Sequence, residues 1–203
     1  GPPGWQPAGG RAEPLGAILR GLPRVWRIPP IKYFFAIHMC TLSSVLTILG
    51  LWGGPYLADI HGLDAVARGQ VLFAMSIASI CGNLSYGPLD RILDTRKRLV
   101  LGGGSITVCV LSTLALLPGP PLWLATLLFM ALAYGGSITI ILQTHSRGLL
   151  PDSMAGRGLT VLNMATMLGV ALGQTVSGII VGAFTAVDGA YPEAAYRCVF
   201  AYL

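Results

Sequence analysis

The side chains able to do chemistry in this sequence are few, and most stand inside apolar stretches. His38, Thr41, Ser44 and Thr47 recur every three residues. On a helix turning about 100° per residue they wind along one side as a slowly drifting stripe. An imidazole among hydroxyls can pass protons or line a wet cavity, and it can equally hydrogen-bond a neighbouring helix or interfacial water. Tyr134-Gly135-Gly136-Ser137 sets a phenol and a hydroxyl beside two glycines. Each glycine weakens a helix by about 1 kcal/mol relative to Ala, so this tetrapeptide allows either a bend that admits a solute or close helix packing. Asn163 and Gln174 are eleven residues apart and share a helical face with Ser177. Their stretch also holds two GxxxG pairs, Gly169/Gly173 and Gly178/Gly182. Amides there either border a hydrated cavity or bond between helices, the latter worth about 0.6 kcal/mol on average.

Catalytic patterns are missing. The sequence has no GxSxG, HExxH or P-loop, and its acids sit at the ends of apolar runs rather than within them. The four cysteines, Cys40, Cys81, Cys109 and Cys198, fall one per apolar segment with no CxxC and no His at ligand spacing. They read as small apolar residues. The expectation is therefore a protein that is not an enzyme, with no metal and no cofactor.

The elements that must position these residues follow from composition. The 203 residues are 54% hydrophobic and 10% charged, with a mean hydropathy of +0.70, whereas a water-soluble domain carries roughly 25% charge. The solvent is partly lipid. A spanning helix needs about 20 apolar residues, and five stretches qualify: 32–53, 69–89, 99–117, 121–144 and 158–184. A sixth begins near Ala194 and is incomplete at Leu203. Connections rich in breakers, Gly53-Gly54-Pro55 and Pro118-Gly119-Pro120-Pro121, separate them. No stretch alternates as a barrel strand would, so the fold class is an all-α membrane protein, a polytopic bundle of transmembrane helices.

Charge orients the spans. Arg11, Arg20, Arg24, Arg27, Lys32, Arg91, Arg96, Lys97, Arg98, Arg147 and Arg157 fall on one side, and Arg68 and Arg197 on the other. By the positive-inside rule the first set, with the N-terminal segment, is cytoplasmic. Trp26 and Tyr33 mark the inner edge, and Trp52, Tyr56 and Trp123 the outer. Residues 1–30 form a cytoplasmic linker, Gly/Pro-rich over 1–10. Residues 15–27 read either as a short amphipathic helix on the cytoplasmic leaflet or as an irregular basic segment broken by Pro23. The basic residues form no stripe with interleaved aromatics, which excludes nucleic acid as a partner.

The charged segment after the second span resembles the loop motif Gly-x-Leu-x-Asp-Arg-x-Gly-Arg-Lys of the major facilitator superfamily. Asp90-Arg91 supplies its acidic–basic pair and Arg96-Lys97-Arg98 its basic cluster, although four residues separate Arg91 from Arg96. The segment 51–57 leading to His61-Gly62-Leu63 resembles the first external loop of such a half, and Pro151-Asp152 through Asn163 resembles the passage from its fourth to its fifth span. The resemblance covers about residues 31–203. It implies spans seven to twelve of a secondary active carrier in the plasma membrane, moving a small-molecule or ion substrate by alternating access with an N-terminal half as partner. It also implies that the first and fourth spans line the cavity, that the second and fifth meet the other half, and that the third and sixth lie outside. His38, Thr41, Ser44, Tyr134, Ser137, Asn163 and Gln174 are then the cavity candidates. Asp90 either locks a gate at a helix N-terminus of the other half or anchors topology. A permease subunit of an ATP-driven importer is the alternative, and it would need a coupling helix in an inside loop, for which 144–157 is short and Gly/Pro-interrupted.

Overall fold

A computed structural model describes residues 26, 28–93, 96–150 and 152–203. The expected linker and amphipathic segment before Trp26 lie outside the described residues, as do Asp94 and Thr95 in the basic loop. Helix α1 covers Pro29–Thr47 and passes through a π-helical turn, Ile48–Trp52, into α2, Gly53–His61. Then follow α3 (Ala65–Leu93), α4 (Arg96–Leu116), α5 (Leu122–Gly136), α6 (Thr139–Leu149), α7 (Asp152–Gly182) and α8 (Glu193–Tyr202). Among the described residues, strand pairing is limited to one bridge between Val187 and Ala190. It is closed by Asp188 and Gly189, both at positive φ, as a two-residue hairpin turn requires.

Among the described residues, five helical runs are long and apolar enough to cross a membrane: Ile31–His61, Ala65–Ile92, Lys97–Leu116, Leu122–Gly148 and Met154–Gly182. Lipid offers the backbone no hydrogen bonds, and helices satisfy it internally.

The first run corrects the expected breaker at Gly53-Gly54-Pro55, and with it an external loop over 51–57. The Gly53 N–H bonds back to Ile48 O across the π turn, and a Cβ on Gly53 would stand 2.8 Å from that oxygen. Pro55 then occupies the first turn of α2, where its missing N–H costs nothing. The helix stops nine residues after it restarts, at Gly62. There φ is 64°, Gly62 N–H bonds to Ala58 O and Leu63 N–H to Leu57 O. The bond from the left-handed residue to the carbonyl four back is the αL closure, which favours glycine at that position. Tyr56, expected at the outer edge of the membrane, is 1% exposed within the bundle.

Tyr56 centres the main core. Its ring lies 5.7 Å from Phe129, 5.5 Å from Tyr196 and 5.4 Å from Phe200, tilted or edge-on in each case. Such pairs add about 0.5–1.5 kcal/mol beyond burial. They join α2, α5 and α8 at one end of the bundle. At the opposite end a smaller cluster of Ile31, Leu150 and Val161 gathers α1 and α7. Between the ends, α1 packs along α7, α3 along α5, and α4 against α5 and α8.

Candidate functional site

The first GxxxG pair sets the approach of α1 to α7. A Cβ on Gly169 would collide with Met39 O and stand 2.9 Å from Ser43 Cβ, and one on Gly173 would stand 2.8 Å from Thr47 Oγ1. Ser43 turns its hydroxyl onto Met39 O in its own helix. Two polar side chains on this buried stretch make no hydrogen bond: His38, through both ring nitrogens, and Thr47. Both are fully buried. At the π turn Trp52 Nε1 donates to Ser177 Oγ at 2.7 Å, and Ser177 donates on to Gln174 O at 3.1 Å. The half-buried Gln174 amide nitrogen lies 4.0 Å from where a Gly50 Cβ would be.

In the fourth span the helix breaks immediately after the glycine pair. Ser137 N–H bonds to Tyr134 O and Ile138 N–H to Gly135 O, a tightening from four-residue to three-residue closure before α6 resumes. Both glycines admit neighbours where a side chain would not fit. Gly135 faces Ile106 and Gly103 O, and Gly136 faces Val45. Ser137 Oγ donates to Ser79 O at 3.0 Å on α3 and to Ala133 O at 3.1 Å. The Tyr134 hydroxyl lies 2.9 Å from Ser85 Oγ, and its ring leans on Tyr86 at 5.5 Å. Both side chains thus bond α5 to α3. Ser137→Ala is expected to lower stability by about 1 kcal/mol, the worth of one net hydrogen bond. Thermal unfolding in detergent checks this, and an unchanged midpoint would mean the Ser137–Ser79 bond adds nothing.

A groove of about 660 Å³ runs between α1 and α4, with Cys40, Thr41, Ser44, Thr107 and Cys109 along it and Leu203 at one end. Ser44 turns its hydroxyl away, onto Cys40 O at 2.7 Å and Leu203 O at 3.2 Å. The seven cavity candidates therefore occupy separate places. Thr41 and Ser44 border this groove, Tyr134 and Ser137 face α3, and His38 is enclosed in the bundle. Gln174 stands beside the π turn, and Asn163 is exposed on α7.

Asp90 is half-buried near the end of α3, while Arg91, Lys97 and Arg98 are exposed and Arg96 opens α4. Basic residues in a first helical turn oppose the helix dipole. These basic residues stand at the adjoining ends of two runs long and apolar enough to cross a membrane.

Sequence reasoning missed a polar clasp at the aromatic end. Asp59 Oδ2 accepts from Tyr191 N–H at 2.9 Å and from the Tyr196 hydroxyl at 2.5 Å. Glu193 accepts from Gly119 N–H at 2.6 Å, and Arg197 Nε donates to Ala115 O at 2.7 Å, at the C-terminus of α4. The acids and Arg197 were visible in the sequence as loop charges, but nothing local marked their partners 74 to 137 residues away.

A family model described as Major Facilitator Superfamily matches residues 1–187. The multidrug efflux pump Tap of Mycolicibacterium fortuitum is 23% identical over 167 residues, covering 81% of this chain and 39% of that protein. The chain thus spans about two fifths of the length of this curated relative. No solved structure matches.

Proposed function

The chain belongs to the major facilitator superfamily, and from that premise we propose that it forms the C-terminal half of a secondary carrier working by alternating access. The observation that carries this reading is the interruption of two spans, the first by a π turn and the fourth at Ser137–Ile138. Interrupted helices are where carriers bind solute, and the two interrupted here are the spans that the resemblance assigns to the cavity. An ATP-driven importer offers no account of the family match.

The N-terminal half is the proposed partner, and the second and fifth spans supply the surface. Only 17% of the most apolar stretch of the second span is buried, against 44% for the first and 56% for the fourth. Phe73, Ile77, Ile80 and Leu84 form an exposed stripe on it at helical spacing. The basic-loop end is the cytoplasmic one in this reading, in a plasma membrane. The proposed solutes are aromatic, drug-like compounds, organic cations included, leaving the cell. The name of the Mycolicibacterium relative supports that class, as do the spans themselves, whose interiors offer hydroxyls, amides and aromatic rings as contacts.

Counterflow tests the proposal. The complete carrier, reconstituted in ATP-free proteoliposomes loaded with unlabelled ethidium, is expected to accumulate labelled ethidium transiently, at least fivefold above protein-free vesicles. Uptake equal to that of empty vesicles would overturn it.

A further inference from the structure

We propose that the basic-loop end of α3 carries a site for one anionic phospholipid headgroup, in the notch formed by Gly87, Pro88, Arg91 and Ile92. It requires only that α3 crosses a bilayer and is independent of the carrier reading. The notch has a volume of about 440 Å³. It opens just beyond Leu84, the last residue of the apolar stripe assigned to the other half. Residues three and four apart are neighbours on a helix, so these four share one side of α3.

The notch offers a cation without a partner. Arg91 is exposed, and among the described residues it makes no ion pair and no hydrogen bond. Helical side chains lean over the turn before their own Cα, so the guanidinium shares its notch with Gly87 and Pro88. A Cβ on Gly87 would meet nothing within 4 Å, which leaves room for a phosphate there. The guanidinium fork matches two phosphate oxygens at once. Lys97 and Arg98 are exposed across the loop, while the adjacent acid, Asp90, is half-buried and already engaged. The local field therefore favours an anion.

Two further features distinguish a lipid from a free anion. Pro88 stands inside α3. It has no N–H to give the Leu84 carbonyl, and its ring crowds that oxygen out of the helical ladder. The displaced carbonyl accepts from a hydroxyl, such as those of a glycerol headgroup. Leu84 and Ile92 are 71% and 76% exposed on either side of the cation. Bare apolar side chains beside a charge suit a ligand that brings acyl chains, and a water-soluble anion gains nothing from them. Phosphatidylglycerol supplies all three parts: a phosphodiester, free hydroxyls and acyl chains. Basic clusters at the end of a membrane span attract such lipids.

Native mass spectrometry of the delipidated complete carrier tests the site. Wild type is expected to bind dioleoyl phosphatidylglycerol at least fivefold tighter than dioleoyl phosphatidylcholine. Arg91→Gln should cut that preference to within about twofold, whereas Arg98→Gln, outside the notch, should keep it. Both residues are exposed, so both variants should stay folded and monodisperse. Equal losses in the two would mean a diffuse basic surface and overturn the site. Pro88→Ala returns a donor to the Leu84 carbonyl. It should weaken phosphatidylglycerol binding about threefold and leave dioleoyl phosphatidylmethanol, an anionic phosphodiester without hydroxyls, unaffected. Inorganic phosphate in large excess should displace neither lipid, and displacement would make this an ion site and overturn the lipid assignment. A wild type that binds phosphatidylglycerol and phosphatidylcholine alike, the result expected were the other half to fill the notch, would overturn it as well.

Discussion

Gly169→Ala is expected to leave little folded protein, with the residual fraction unfolding at least 10 °C below wild type. The added methyl meets backbone. It collides with Met39 O and lies 3.0 Å from Met39 C and 2.9 Å from Ser43 Cβ. A side chain could rotate away, but the carbonyl of a hydrogen-bonded helix cannot, so α1 and α7 must separate along their length. Overpacking typically costs about 1–3 kcal/mol and occasionally more, and this is the most extensive helix pair of the bundle. The same change at Gly173 meets the Thr47 hydroxyl, at 2.8 Å, which can turn, so a smaller loss is expected there. At Gly178 and Gly182 nothing lies within 4 Å. Alanine there should be neutral or stabilise by up to about 1 kcal/mol through helix propensity. Monodisperse yield and thermal midpoints of the four variants check the ordering. Equal behaviour of Gly169→Ala and Gly178→Ala would refute a seam confined to the first pair.

That contrast shows what one helix's sequence can and cannot say. Both GxxxG pairs announce close approach, and only the fold reveals that the first meets α1 while the second faces outward. Helical class and membrane character were legible because hydropathy over twenty residues is a property of the chain alone. The continuation of the first span through Gly53-Gly54-Pro55 was not legible. Three breakers in a row signal a turn, and their absorption depends on the π turn placed just before them. The glycine pair before Ser137 did announce a weak point in the fourth span. The partners of Tyr134 and Ser137 were hidden, because a polar residue in a span carries no mark of the helix it will meet. For the same reason the stripe from His38 to Thr47 gave the right periodicity and no destination. Ser44 ends on the carbonyls of Cys40 and Leu203, and His38 on nothing.

Asp59→Leu is the second change with a large expected effect, because it removes one acceptor from two donors. Tyr191 N–H and the Tyr196 hydroxyl converge on the same carboxylate oxygen, and Tyr196 is fully buried against Tyr56 and Trp52. Hydrogen bonds to a charged acceptor contribute about 1.5–3 kcal/mol each, and a buried donor left without one retains its full desolvation cost. Leucine should therefore destabilise by several kcal/mol. Asparagine keeps one acceptor oxygen and should cost less. Tyr196→Phe removes a single donor and should fall between them. The consequence reaches beyond Asp59, since α8 is held to the bundle by this contact, by Glu193 on Gly119 and by Arg197 on the last carbonyls of α4. With the first tie cut, α8 should lift away and release Arg197, so limited trypsin digestion should cleave after Arg197 at least tenfold faster than in wild type. The proposed alternating access, as rigid-body rocking, would need each half to move as one piece, and this clasp joins α2, α4 and α8 at the end where the aromatic core is densest. An Asp59→Leu protein with wild-type cleavage and wild-type melting would show that the aromatic packing around Tyr56 holds α8 by itself, leaving the carboxylate no structural task at that end of the bundle.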